Sequence, residues 1–135
     1  MILDTSGLLA FFNDREPAHE AARDVIDVAD EALVVSPYVV AEVDHLVATR
    51  HGVDAELAVL RQLAGGAFEL PEITEDDLSK VVRVVERHRD QDIGVTDASL
   101  VVLAARYRTR RILTLDHRHF TVLRPARGHA FELLP

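Results

Sequence analysis

Ala32-Leu33-Val34-Val35-Ser36-Pro37 reads as a short apolar strand running directly into the start of a helix. Its first four residues are apolar without alternation, the pattern of a strand buried on both faces. Ser36 offers an N-cap oxygen, and Pro37 fits the first helical position, where a missing N–H costs nothing. The helix opened there runs to about His51, where Gly52 stops it. A strand covered on both faces needs helical layers above and below it. The fold class expected is therefore α/β, with a central, mainly parallel sheet of about four to five strands flanked by helices.

Upstream, the same grammar holds. Ile2-Leu3 forms a short buried strand ending at Asp4, and Thr5 to Phe12 is apolar enough for a helix on a sheet. Glu16-Pro17 opens a second helix, with Ala18, Ala21, Ala22, Val25, Ile26 and Ala29 as its apolar stripe. Downstream, Asp54 to Ala64 is a helix ended by Gly65-Gly66, and Phe68-Glu69-Leu70 alternates like a strand before Pro71. Thr74 caps a helix from Glu75 to about Arg89 with Leu78, Val81, Val82 and Val85 inward. Thr96 is expected to cap an apolar helix from Asp97 to Tyr107. Arg111 to Leu115 is a buried strand ending at Asp116, and the tail holds two weaker strands, near Val122-Leu123 and Phe131–Leu133. No repeat, linker or composition break divides residues 1–135, so one domain is expected.

The chain has 135 residues, no cysteine and a net charge of −8. Disulfides and thiolate metal sites are excluded. The first residues lack the basic and apolar regions of a signal peptide, and no apolar run reaches the ~20 residues of a membrane span. A soluble, cytoplasmic protein without a membrane partner is expected. The charge is uneven: residues 1–95 hold 8 Lys/Arg against 20 Asp/Glu, whereas residues 96–135 hold 7 Arg against 3 acids. A basic segment beside a carboxylate cluster suits phosphodiester chemistry. A solvated basic face is the plainer alternative.

Four acids stand in apolar surroundings at element boundaries. Asp4 and Asp116 each follow an apolar strand, Glu42 lies between Ala41 and Val43 on a helix, and Asp97 opens a helix that is otherwise apolar. Acids in such places pair, accept hydrogen bonds or coordinate metal. Taken singly, Asp4 and Asp116 suit helix caps, Asp97 suits a helix-dipole acid and Glu42 an ion pair. Taken together they would repel strongly without a divalent cation, and hard oxygen donors favour Mg²⁺ or Mn²⁺.

Asp4-Thr5-Ser6 after the first strand, Ser36-Pro37-Tyr38-Val39-Val40-Ala41-Glu42, Thr96-Asp97-Ala98, and Leu113-Thr114-Leu115-Asp116-His117-Arg118-His119-Phe120 together resemble a PIN-domain nuclease. The four motifs keep that family's order over nearly the whole chain, and the length resembles the VapC-type ribonuclease toxins of toxin–antitoxin pairs. The resemblance implies a PIN-like fold and an endoribonuclease acting with Mg²⁺ or Mn²⁺. Asp4 and Asp97 match the acids most directly tied to the metal, Glu42 and Asp116 the remaining pair, and Ser6 a supporting hydroxyl. It also implies a homodimer bound by a cognate antitoxin protein, a segment of which covers the acidic cleft.

Beyond these motifs, Arg118 is the expected phosphate contact, being two residues past Asp116. Asp92 is expected to be a solvated loop acid, with a second metal as the alternative. His117 and His119 lack a third ligand for zinc and are expected at the surface or facing substrate. Two rival functions remain. One is a phosphoryl-transfer α/β protein with Asp4 as nucleophile, which would want a second acid at position 6 and a late Lys; position 6 is Ser, and the single Lys is Lys80. The other is a non-catalytic PIN-like binding module.

Overall fold

The computed structural model describes residues 1–125 and 129–135. Four strands form one all-parallel sheet in the order β2-β1-β3-β4: β1 (Ile2–Leu3), β2 (Val34–Val35), β3 (Arg111–Leu113) and β4 (Glu132–Leu134). Ile2 pairs with Val34 on one side and Ile112 on the other, and Leu3 with Val35 and Leu113. Their side chains are fully buried, each contributing about 1.5–3 kcal/mol of burial. Helical layers on both faces explain the unbroken apolar runs.

The helices are α1 (Thr5–Phe12), α2 (His19–Asp27), α3 (Pro37–His51), α4 (Val53–Leu63), α5 (Glu75–Arg87), α6 (Val95–Tyr107) and α7 (His117–Phe120). Ser36 caps α3 as expected, its oxygen accepting from Tyr38 N at 3.3 Å. Val39, Val43 and Val47 form the buried face of α3. Thr74 and Asp77 close a reciprocal capping box at the start of α5. Phe11 and Phe12 pack with Phe68 in an aromatic cluster against the core, rather than being displayed.

Several elements differ from the sequence expectation, each for a local reason. The Phe68–Leu70 segment makes one parallel bridge, Glu69 to Val34; Pro71, with no N–H, ends it. Val122-Leu123 is not a strand. Both amides bond back to His119 O, so the segment extends the turn after α7 and inserts Leu123 into the core. The short α7 is polar, and its cap, Asp116, is one of the four acids. α2 starts at His19, two residues past Pro17, and α5 ends at Arg87. Leu78 and Val82 are half exposed, so the apolar face of α5 is wider than its neighbours cover.

After β1 the chain crosses to β2 on one side, while β3 lies on the other. That reversal is a topological switch point, where parallel α/β sheets open a crevice at their carboxyl ends. Asp4 and the Thr114–Asp116 segment leave the two central strands there, joined by Asp4 N donating to Leu113 O at 3.0 Å.

Candidate active site

Asp4 is buried, yet its carboxylate is supplied with donors. Ser6 Oγ and Thr114 Oγ1 both donate to Asp4 Oδ2, at 2.7 and 2.8 Å. Each hydroxyl also accepts from backbone: Ser6 from Leu115 N at 2.9 Å and Thr114 from Asp116 N at 3.1 Å. Thr114, itself fully buried, therefore ties the end of β1 to the end of β3 and sets Asp4 against Asp116.

This close junction depends on Gly7. A Cβ there would stand 2.4 Å from Leu113 O and 2.8 Å from Leu113 C, so only glycine lets α1 lie this near the backbone of β3.

Glu42 projects from α3 and is clamped from two sides. Thr5 Oγ1 donates to its Oε2 at 2.7 Å, and Thr96 Oγ1 to its Oε1 at 2.6 Å. Thr96 does not cap α6, which begins one residue earlier at Val95 with Gly94 in the cap position. Its hydroxyl serves Glu42 instead. Below this clamp lies a buried relay: Ser99 Oγ donates to Thr96 O at 2.6 Å, leaving Ser36 Oγ to donate to Ser99 at 2.8 Å. The relay fixes the start of α3 against the start of α6, and thereby Glu42 against Asp97.

Asp97 occupies the first turn of α6. His119 Nδ1 lies 2.9 Å from its Oδ2. Burial pushes its carboxyl up from the ordinary 3.8 to about 6; the His119 charge pulls it down, and the charges of Asp4, Glu42 and Asp116 push it further up. The four sequence-predicted acids thus lie at one end of the sheet, where three of them act on Asp97. Asp116 is held below the usual carboxylate range by Arg118, whose Nε and Nη2 reach its two oxygens at 3.2 and 3.1 Å.

Ser6 sits where the sequence placed it. Arg118 is exposed and joined to Asp116, and Asp92 stays on the exposed loop before α6 with φ +53° and does not contribute to the charge on Asp97. The supporting roles of Thr5 and Thr114 were not singled out from sequence, while Thr96 was expected as a helix cap and His119 as a surface or substrate-facing residue. Thr5, Thr96 and Thr114 each stand within two residues of an acid; His119 is 22 residues from Asp97.

The donors available to a cation are carboxylate oxygens, with no thiolate and one imidazole already engaged by Asp97. Among the described residues, no three carboxylate or imidazole groups already converge on one point. Oxygen donors of this kind suit a hydrated hard ion, which keeps several waters and takes one or two carboxylates directly.

A model of the family described as the PIN domain matches residues 1–124, and the chain belongs to that family. Within it, the chain stands with the VapC proteins. It is 59% identical over 135 residues, all of both chains, to Ribonuclease VapC26 of Mycobacterium tuberculosis (strain ATCC 25618 / H37Rv). Two solved structures share the fold. The crystal structure of Mycobacterium tuberculosis VapC20, described as a sarcin–ricin loop cleaving toxin, superposes with TM-score 0.79 at 19% identity, covering 87% of this chain and 91% of that one. A toxin–antitoxin complex from Klebsiella pneumoniae superposes with TM-score 0.69 at 18% identity, covering 90% and 91%. Among the described residues, no helix is long and apolar enough to cross a membrane.

Proposed function

We propose that this chain is a divalent-cation-dependent endoribonuclease and the toxin of a toxin–antitoxin pair, with Asp4, Glu42, Asp97 and Asp116 as its catalytic acids. The observation that carries the reading is the gathering of four acids at one end of the sheet, where the charges of Asp4, Glu42 and Asp116 add to burial in raising Asp97 to about 6. Full-length likeness to a named ribonuclease supports the activity, and likeness in fold to a toxin–antitoxin complex supports the partner.

Asp4 and Asp97 would hold Mg²⁺ or Mn²⁺ most directly, with Glu42 and Asp116 completing the set. When bound, the ion supplies Lewis acidity to a phosphate oxygen and an acidified water as nucleophile. Ser6 and Thr114 orient Asp4 by donating to one oxygen, leaving Oδ1 for other contacts. Thr5 and Thr96 hold both oxygens of Glu42 in place. Among the described residues Glu42 pairs with no cation, while Asp116 is made a weaker base by Arg118. Glu42 is therefore the better acceptor for the water proton, at Oε1 or Oε2. In-line attack would leave a 5′-phosphate and a 3′-hydroxyl without using the RNA 2′-OH. Arg118, already beside the cluster, is placed to meet a phosphate. The half-exposed Leu78 and Val82 of α5 suit a homodimer, and an antitoxin segment would block RNA by covering the acids.

The test is incubation of purified, antitoxin-free protein with total RNA in Mg²⁺ or EDTA, with mapping of new 5′ ends. Discrete cuts are expected in Mg²⁺ alone, falling at least about 100-fold in Asp4→Ala and Asp97→Asn, in line with loss of a positioned charge in a water-poor site. Cuts that persist in EDTA, or in both variants at the parent rate, refute the mechanism. No cutting under any condition leaves the non-catalytic binding module.

A further inference from the structure

A second charged feature lies outside the acid cluster. A groove of about 670 Å³ opens between α5 and α6, and Lys80, Arg83, Arg87, His88, Arg106 and Arg124 line it. Its one acid, Asp77, is buried and already bound to Arg106. Lys80 is paired with Asp76. Among the described residues, Arg83, Arg87 and Arg124 pair with no carboxylate. Arg124 is nevertheless fixed, its Nη1 donating to Thr121 O at 2.6 Å and Leu123 O at 3.0 Å. In a chain of net charge −8 such a concentration of unneutralised cations is not an average surface.

Position links the groove to the acids. Asp97, Val101 and Ala105 follow at i, i+4 and i+8 on one stripe of α6, and Val101 and Ala105 are part of the groove wall. The groove therefore begins about 6 Å along α6 from Asp97 and ends near Arg106, about 14 Å along it. At its far wall Arg83 and Arg87 stand one turn apart on α5, with Lys80 preceding them, about 5–6 Å per step. From the other direction, α7 carries Arg118 and His119 at the acids and leads through three residues to Arg124 at the groove. The floor is apolar, from Val84 and Val102.

We infer that the α5–α6 groove is a second substrate site that binds the sugar–phosphate backbone of single-stranded RNA flanking the cleaved bond. The inference rests on the ribonuclease reading for its substrate. Flanking phosphates meet the free arginines, the apolar floor receives ribose or base, and about two phosphates fit the roughly 8 Å of groove at ~3.4 Å each. RNA is favoured over an acidic peptide because the groove that holds the cations is walled by the stripe of α6 that carries Asp97, so one strand would meet both.

The experiment uses the full chain and Arg83→Ala/Arg87→Ala, with Arg83→Glu/Arg87→Glu as a second variant. Both positions are exposed, so circular dichroism should match the parent. Binding of fluorescein-labelled oligouridylate of about 20 or about four nucleotides is measured in EDTA across NaCl concentrations, with poly-glutamate of equal charge as competitor. The expected result is ~10-fold weaker binding of the long RNA by the alanine variant, more for the glutamate variant, and unchanged binding of the short RNA. The log–log salt slope should fall by about 1.4, or ~0.7 per lost phosphate contact. In Mg²⁺, long RNA should show a raised KM at constant kcat. Equal affinity of parent and variants for long RNA overturns the inference. So does poly-glutamate binding as tight as RNA and lost in the same variants, which would assign the groove to an acidic protein segment. RNA bound as expected but never cut in Mg²⁺ sinks the nuclease reading and leaves the groove standing.

Discussion

Asp97 is costly to keep ionised. Its carboxyl is raised to about 6 chiefly by burial, then by three neighbouring acids, so the folded chain holds its proton more tightly than the unfolded chain does. The stability this group contributes is fully present below pH 3.8 and is lost as pH rises through about 6. At pH 7 the ionised form costs on the order of 3 kcal/mol. Asp97→Asn removes the charge and can still accept from His119. In EDTA at pH 7 the variant is therefore expected to melt several degrees above the parent, by about 1–3 kcal/mol, and the gap should close below pH 4. Differential scanning calorimetry from pH 4 to 8 measures it. A variant that melts at or below the parent temperature at pH 7 means that burial and repulsion do not strain this acid. The four acids themselves were legible in the sequence because each abuts an apolar run. Their partners were not: Thr5 is 37 residues from Glu42 and Thr96 is 54 residues from it, and no local pattern reports side chains that meet across such distances.

Between elements, two contacts set where the acids stand. The first is the approach of α1 to β3 through Gly7. Gly7→Ala drives a Cβ into the backbone of Leu113, which cannot swing aside as a side chain can. The expected cost is about 1–3 kcal/mol, with lost cleavage because Asp4 and Ser6 flank the displaced turn. Urea denaturation and cleavage assays on the same sample check both; unchanged stability refutes the close packing. The second is α5 on α6. Asp77 accepts from Thr74 N at 3.0 Å and Thr74 Oγ1 at 2.8 Å, and binds Arg106, whose Nη1 reaches Glu72 O at 3.0 Å. These donors hold the Asp77 carboxyl far below its ordinary 3.8, so its contribution is present above that value and fades in acid. Asp77→Ala should cost about 2 kcal/mol at pH 7, the cap and a partly exposed ion pair together, and less at pH 3. A loss that is equal at both pH values contradicts the charged contact. The sequence showed the Thr74 cap, but nothing in it tied Arg106 to Asp77. Its partner sits on another helix, and only packing reveals that.

Across the whole molecule, α/β order and the parallel sheet were readable because β1 and β2 are local apolar runs and α3 and α5 carry their own side-chain caps. Misread segments are those whose conformation is set from outside: the Val122-Leu123 turn, pulled into the core through Leu123, and the polar α7, which starts on Asp116. Charge was harder to read. The last third is basic, yet Arg106, Arg111 and Arg118 are taken by Asp77, Glu31 and Asp116. The free cations of the α5–α6 groove include Arg83 and Arg87, from the acidic part of the chain. The fold therefore separates a cluster of acids from a band of cations that the sequence interleaves. Holding the acids together leaves burial and repulsion on Asp97 in the folded state that the unfolded chain escapes, so a cation bound there should stabilise the whole domain. With 10 mM Mg²⁺ and a dissociation constant near 1 mM, the gain is ~1.4 kcal/mol, or roughly 4–6 °C in Tm. NaCl at equal ionic strength should not reproduce it, because bulk screening acts weakly on a partly buried cluster. The shift should vanish in Asp4→Asn and shrink in Asp97→Asn, where the repulsion is already relieved. A parent Tm that responds to NaCl as it does to Mg²⁺ would mean the acids are screened rather than ligating, and the metal site would lose its physical basis.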